Sequence, residues 1–167
     1  MDKHPVSKRD LYKTYSCGRS VRLRAESYRV PGATYFVTVC CRDKHPYLAD
    51  STVAEVVFHA WQEVAGNRAF RVWGLCVMLD HLHLLAECLD GTYSPDDLLR
   101  DAKSISLARV RGIAPLYWQA KGYDHIMRND ENPQDRLRYT VNNPVRRRLV
   151  DDHRVWPWTY VDPEAGL

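Results

Sequence analysis

The stretch AFRVWGLCVMLDHLHLLAEC, residues 69–88, consists of two apolar runs separated by a single acidic residue, Asp80. Each run has the length and apolar content of a buried strand, and a short polar break between two such runs is typical of a hairpin. We therefore predict two neighbouring antiparallel strands that are joined by a tight connection at Asp80.

The residues before this hairpin predict one strand and one helix. ATYFVTVCC, residues 33–41, is rich in β-branched and aromatic residues and predicts a strand. Residues 51–65 begin with a capping pair, Ser51 and Thr52, and then space their apolar side chains three and four residues apart. That spacing predicts an amphipathic helix that packs on a sheet.

The residues after the hairpin predict three more elements. Residues 94–110 open with SPDD, a serine N-cap followed by a proline at the first helical position, which predicts a second helix. GYDHIMR, residues 122–128, predicts a fourth strand, and NPQDRLRYTVNNP, residues 132–144, predicts a further helix capped by Asn132. The order β-α-β-β-α-β with an additional C-terminal helix predicts an α+β, ferredoxin-like split βαβ domain with an antiparallel sheet.

Length and composition describe a single domain. The chain has 167 residues, of which 45% are hydrophobic, enough for one core of ordinary size. We predict a basic N-terminal arm over residues 1–30, one domain over 31–160 and a tail over 161–167. Residues 1–31 carry eight basic and three acidic side chains, which favours contact with a polyanion.

Charge, cysteine content and hydropathy exclude several classes of protein. With 24 Lys and Arg against 21 Asp and Glu, the chain is neither an acidic disordered protein nor a polycation. Its five cysteines contain no C-x-x-C spacing, which argues against a disulfide framework and a zinc ribbon. Without an apolar run of about 20 residues or an apolar signal segment, we expect a cytoplasmic protein that has no membrane partner.

The histidine pair His81 and His83 is the sharpest chemical feature. Residues two apart on a strand project from the same face, so both imidazoles can reach one metal ion. The same pattern also fits two hydrogen-bonded histidines at the end of a sheet, and the spacing alone leaves both interpretations open. Asp80 could orient an imidazole ring or simply form the turn.

A second candidate is Tyr139 on the last predicted helix, which shares one helical face with Arg136 and Asn143. A tyrosine hydroxyl, with a pKa near 10, needs a nearby metal, cation or base to act as a nucleophile at neutral pH. A structural tyrosine is the alternative. Five arginines surround it and suit either phosphate binding or a solvated surface: Arg136, Arg138, Arg146, Arg147 and Arg148.

Taken together, several separated motifs resemble the single-tyrosine transposases that carry a His-hydrophobe-His motif, and in particular the REP-associated tyrosine transposases. The motifs occur in the family's order along the chain: YRVPGATYFVTV (28–39), VMLDHLHLL (77–85), YWQAKGYDHIMRN (117–129), YTVNNPVRRRLV (139–150) and WPWTY (156–160).

This resemblance implies a single-stranded DNA endonuclease and strand transferase that cuts near hairpin repeats through a 5′-phosphotyrosine intermediate. His81 and His83 match the metal-binding pair, Asn143 the residue that supplies a third ligand, and Tyr139 the nucleophile. The implied cofactor is a divalent ion, Mg or Mn.

The implied partner is single-stranded DNA with a hairpin, bound by a monomer or a homodimer. The side chains that we expect to contact it are arginines of the arm and of the last helix: Arg22, Arg24, Arg29, Arg136, Arg146 and Arg147. His125, in the GYDHIMR motif, could contact DNA, support the metal site or make a structural hydrogen bond.

Two other functions remain open on the residues alone. One is a domesticated, non-catalytic protein that binds hairpin DNA or RNA, because ferredoxin-like sheets also serve as single-strand platforms. The other is a metal-dependent hydrolase in which water replaces Tyr139 as the nucleophile.

Overall fold

The structure is a computed structural model that describes residues 29–120, 123–126 and 131–167, with 123–126 described by backbone alone. Of the predicted arm, residues 1–28 lie outside this description. A single antiparallel sheet organises the chain, in the strand order β4-β1-β3-β2-β5. Its strands are β1 (Thr34–Cys40), β2 (Phe70–Val77), β3 (His81–Cys88), β4 (Tyr123–Ile126) and β5 (Thr159–Val161).

The first four strands confirm the predicted α+β, ferredoxin-like fold. The hairpin of β2 and β3 is joined by three residues that include Asp80, as predicted. The fifth strand was not predicted. It has only three residues, too few to display an alternating pattern, and it forms because β2 would otherwise be an edge strand.

Helices α1 (Ser51–Asn67) and α2 (Pro95–Val110) pack together on one face of the sheet and cover the main core. The predicted capping of α2 is confirmed, because the Ser94 and Asp97 side chains each bond the other's backbone N–H. The predicted cap of α1 was wrong by one position. Asp50 is the N-cap, since its carboxylate accepts hydrogen bonds from the N–H groups of Thr52 and Val53.

The additional helix α3 (Pro133–Val141) lies on the opposite face of the sheet and is followed by the short helix α4 (Asn143–Arg146). A second core forms there between the α3 residues Leu137 and Val141 and the sheet residues Phe36 and Leu85. The central strands therefore have apolar side chains on both faces. A single layer of helices could bury only one of these faces.

Close approach of α3 to the sheet depends on Gly74 in β2. A Cβ atom at this position would overlap the Cδ1 methyl of Leu137, which is 2% exposed. Gly74 also follows a β-bulge that displaces Trp73 from the register between β2 and β3. The glycine and the bulge together fix how closely the α3 helix lies against the histidine strand.

Residues 161–167, the predicted tail, begin inside β5 and remain packed as far as Ala165. The Arg71 guanidinium makes two hydrogen bonds of 2.9 Å to the carboxylate of Asp162, and Ala165 is 3% exposed. Gln134 of α3 donates a 2.6 Å hydrogen bond to the Ala165 carbonyl. The segment therefore ties β2 to α3. Within the described ranges, no helix has the length and apolar character needed to span a membrane.

Candidate active site

The two histidines lie at the start of β3, on the sheet face that α3 covers. Register pairs Cys40 with His81 and Thr38 with His83, so both rings lie beside the C-terminal end of β1. The ring centroids are 4.8 Å apart, and the residues are 9% and 4% exposed. Alternation along the strand thus places two imidazoles side by side in a nearly dry environment.

A hydrogen bond at Nδ1 orients each imidazole. His81 Nδ1 lies 2.5 Å from Asp80 Oδ1, and His83 Nδ1 lies 2.8 Å from Thr38 Oγ1. When a histidine donates from Nδ1, its Nε2 lone pair is free to bind a metal. Asp80 therefore both forms the turn and orients a ring, because its backbone carbonyl also accepts a hydrogen bond from Cys41.

The electrostatic surroundings keep His83 neutral. Burial lowers the pKa of His83 well below its ordinary value of 6.5, and the positive charges of Arg147 and Arg146 act in the same direction. The hydrogen bond from His81 lowers the pKa of the Asp80 carboxyl. A neutral imidazole is the form of histidine that binds a metal ion.

Tyr139 projects from α3 towards the histidine pair. Its ring centroid lies 5.5 Å from that of His83 and 6.1 Å from that of Phe36, while Phe36 itself stacks on His83 at 5.6 Å. The Arg146 guanidinium carbon lies 4.6 Å from the centre of the tyrosine ring. The side chain is half-buried and contacts the histidine strand through its ring.

Asn143 lies beyond the end of α3, at the first residue of α4, rather than on the tyrosine helix itself. The helix breaks because Pro144 has no N–H to continue the hydrogen-bond ladder. Asn143 is 4% exposed, and its Nδ2 has no hydrogen-bond partner among the residues that the structure describes. A buried amide N–H group without a partner costs about 1–3 kcal/mol, and as a hydrogen-bond donor it is suited to an acceptor such as a phosphate oxygen.

A groove of about 580 Å³ runs along α3 beside the tyrosine. Arg136, Arg138 and Arg146 line it, together with Glu131 and Asp135. Two of these arginines have carboxylate partners at 3.4 Å, Arg136 with Glu131 and Arg138 with Asp135. The groove is therefore mixed in charge, and the Arg146 guanidinium lies over the Tyr139 ring.

The remaining predicted residues do not all gather here. Arg147 follows α4, is exposed and influences both His83 and Asp80 electrostatically. Arg29 lies at the opposite end of the sheet, where its guanidinium is 3.6 Å from Asp97. Arg22 and Arg24 lie outside the described residues. His125 pairs in register with Phe36, and its side chain lies outside the description.

Sequence reasoning missed two residues that shape the site, Thr38 and Phe36. The signal for Thr38 is a polar residue in the middle of the apolar strand YFVTVC. That signal becomes interpretable only when the register places it opposite His83. Phe36 reads as an ordinary core residue, and only the packing of α3 shows that its ring contacts both the His83 ring and the Tyr139 ring.

Paired imidazoles, a facing tyrosine hydroxyl and nearby guanidinium groups on a ferredoxin-like sheet define a site suited to phosphoryl transfer. Residues 29–125 match the family described as transposase IS200 like, and the chain belongs to this family. The protein is thus a transposase, an enzyme that cleaves and joins DNA. The match includes the histidine strand and ends before Tyr139.

Individual proteins agree with this assignment. The chain is 25% identical to a REP-associated tyrosine transposase of Escherichia coli K12 over 142 residues, covering 84% of each protein. A Haemophilus influenzae protein described in the same group is 23% identical over 141 residues, covering 77% of this chain and 79% of the relative. A solved REP-associated tyrosine transposase bound to a REP hairpin matches with a TM-score of 0.69 and 23% identity, covering 84% of this chain and 82% of that one. The last match supports the fold.

Proposed function

We propose that this transposase cuts single-stranded DNA beside a hairpin through a covalent 5′-phosphotyrosine intermediate. Tyr139 is the nucleophile, and His81, His83 and Asn143 hold a divalent metal ion. The observation that carries the proposal is the placement of the Tyr139 ring 5.5 Å from His83, on the sheet face that both histidines share.

The residues present fit a hard divalent ion such as Mg or Mn. Both histidines have a hydrogen-bond partner at Nδ1, which suits metal binding through Nε2 when Nδ1 carries the proton, and the side-chain oxygen of Asn143 is the kind of ligand that such an ion prefers. The described part of the chain has no cluster of three His, Cys, Asp or Glu side chains, so water and phosphate oxygens would complete the coordination. Two imidazoles suit Mn better than Mg. Such an ion would act as a Lewis acid on the scissile phosphate.

The protein's own groups account for the covalent step. The Tyr139 oxygen attacks the phosphorus in line, the bond from phosphorus to the 3′ oxygen breaks, and the leaving 3′ oxygen takes up a proton while the tyrosine hydroxyl loses one. The Arg146 guanidinium above the tyrosine ring favours the negative charge that develops there. Attack by a 3′-hydroxyl on the phosphotyrosine reverses the step, so the same residue serves for joining.

Hairpin DNA is the proposed substrate because a structural relative is described as bound to a REP hairpin. In this chain, Arg146 and Arg147 lie at the end of α4, seven and eight residues after the tyrosine, and Arg136 and Arg146 both line the groove beside it. Guanidinium groups bind phosphate oxygens in a bidentate manner, which makes them suited to position a backbone without reading its sequence.

The test is a covalent-adduct assay with hairpin DNA that has single-stranded flanks, taken from the repeats beside the gene, in the presence of Mn. The wild-type protein should give a protein–DNA adduct on a denaturing gel, and Tyr139→Phe should give none. Tyr93→Phe is the matched control, because Tyr93 lies next to the N-terminus of α2, at the other end of the sheet. Cleavage that survives in Tyr139→Phe without an adduct would instead identify a hydrolase that uses water.

A further inference from the structure

A cluster of aromatic and cationic side chains, exposed except for the half-buried Tyr47, lies just beyond the end of β1. It consists of Arg42, His45, Tyr47 and Tyr117, and we call it the aromatic ledge. The ring centroids of His45 and Tyr47 are 4.3 Å apart, and those of Tyr47 and Tyr117 are 5.6 Å apart. The Arg42 guanidinium carbon lies 5.2 Å from the centre of the Tyr117 ring. Although it is a large aromatic residue, Tyr117 is 49% exposed.

The aromatic ledge is joined to the turn that carries the histidine pair. The N–H of Cys41 donates a 2.8 Å hydrogen bond to the carbonyl of Asp80, and the N–H of Leu48 donates a 3.0 Å hydrogen bond to that of Leu79. Asp80 is also the hydrogen-bond partner of the His81 ring. The ledge therefore holds a fixed position next to the first histidine.

The backbone of the ledge is held in an unusual conformation. Asp43 and Lys44 have φ values of 55° and 53°, in the left-handed region that residues other than glycine rarely adopt. Backbone hydrogen bonds maintain this turn, from Lys44 to the Cys41 carbonyl at 3.1 Å and from His45 to the Arg42 carbonyl at 3.0 Å. The turn presents Arg42 and Lys44 to solvent, with the Asp43 carboxylate between them. Such strain is concentrated at functional sites.

These side chains match the chemistry of unpaired nucleotides. Every base has a π-face that can stack on tyrosine or on a guanidinium plane, whereas the bases of a duplex are covered by their neighbours. Arg42 and Lys44 add two cations for the phosphates, against the single carboxylate of Asp43. We propose that the aromatic ledge binds an unpaired nucleotide of the DNA strand that enters the histidine site, by stacking on Tyr117. This inference rests on the proposed function and adds a substrate-positioning surface to it.

The test measures equilibrium binding of fluorescein-labelled oligothymidylate of about 12 nucleotides, a length within the range that single-strand sites cover. Tyr117→Ala should weaken binding on the order of tenfold, because stacking is lost, and Tyr117→Phe should bind like the wild type. Arg42→Gln should reduce the salt dependence of binding, with a slope smaller by about 0.7. The matched control is Tyr93→Ala, since Arg68 lies 4.6 Å from the Tyr93 ring in a similar pair at the other end of the sheet. It should leave binding unchanged.

The outcomes separate this inference from the proposed mechanism. The proposed nucleotide-binding role of the aromatic ledge would be rejected if Tyr117→Ala bound as tightly as the wild type, or if the wild type did not bind oligothymidylate. Either result would leave the conclusion of the adduct assay unchanged. If binding depends on Tyr117 but no Tyr139 adduct forms, the assignment of Tyr139 as the nucleophile is rejected. The role of the aromatic ledge in binding is then retained. Circular dichroism of each variant establishes that it is folded before its binding is compared.

Discussion

At the scale of single residues, His83 is a polar, ionisable side chain in a buried position. The ring is 4% exposed, stacks on Phe36 and, among the residues that the structure describes, has one hydrogen-bond partner, Thr38. Burying a protonated imidazole here would be costly, so the site selects the neutral form that a metal can bind. The sequence motif predicts the pair of rings, but not the burial and the arginine charges that lower the pKa of His83, because these depend on how α3 and α4 pack against the sheet.

The burial of His83 predicts that the stability of the metal-free protein depends on pH. The folded-state pKa of His83 lies well below 6.5, so the unfolded chain binds a proton first as the pH falls through 6.5. The free energy of unfolding should therefore decrease below pH 6.5, by up to about 1.4 kcal/mol per pH unit. Urea unfolding between pH 7 and pH 5 in EDTA measures this slope. His83→Gln should remove the contribution of His83 to this slope. The matched control is His59→Gln, because His59 is an exposed histidine on α1, and it should leave the slope unchanged.

At the scale of elements, the position of α3 against β2 decides whether Tyr139 reaches the histidines. Leu137, two residues before the tyrosine, fills the space over Gly74. A methyl group at Gly74 would push against a buried leucine, and overpacking of this kind costs about 1–3 kcal/mol. Part of that cost is relieved if α3 moves outward, which would carry the tyrosine away from His83.

Gly74→Ala should therefore lower the free energy of unfolding by about 1–3 kcal/mol and reduce adduct formation further than the loss of folded protein explains. Gly66→Ala is the matched control, because a Cβ at this exposed position in α1 meets no atom within 4 Å. It should stabilise the protein by about 0.4–1 kcal/mol and leave adduct formation unchanged. Thermal melts and single-turnover assays measure both effects. A fully active Gly74→Ala would contradict the dependence on α3.

Local signals account for the elements that the sequence predicted correctly. The Asn132 cap and the apolar pair Leu137 and Val141 define α3 within a few residues, and the Asn132 side chain accepts the expected hydrogen bond from the N–H of Gln134. What could not be predicted depends on contacts between distant segments. β5 is recognisable only through its pairing with β2, and the position of Thr38 opposite His83 follows from the register between β1 and β3.

At the scale of the whole molecule, the fold is built from apolar contacts on both faces of one sheet. The main core lies under α1 and α2, and the second core lies under α3. The histidine pair sits at the end of β3, where two hydrogen bonds between protein groups already orient it. No part of either core needs a metal ion to be filled. This separates the protein from small metal-dependent domains, which unfold when the ion is removed.

Metal removal should therefore stop the reaction and preserve the structure. Treatment with EDTA should abolish formation of the Tyr139 adduct, and added Mn should restore it, because the proposed ion neutralises charge on the scissile phosphate. The far-UV circular dichroism spectrum should not change. The melting temperature should fall only because the stabilisation from ligand binding is lost. That stabilisation is about 2.7 kcal/mol when the ion had been present at 100 times its Kd.

A large loss of helical signal in EDTA would show instead that the ion supports the fold. Adduct formation that continued in EDTA would remove the metal from the proposed mechanism and leave Tyr139 with Arg146 as its source of charge stabilisation.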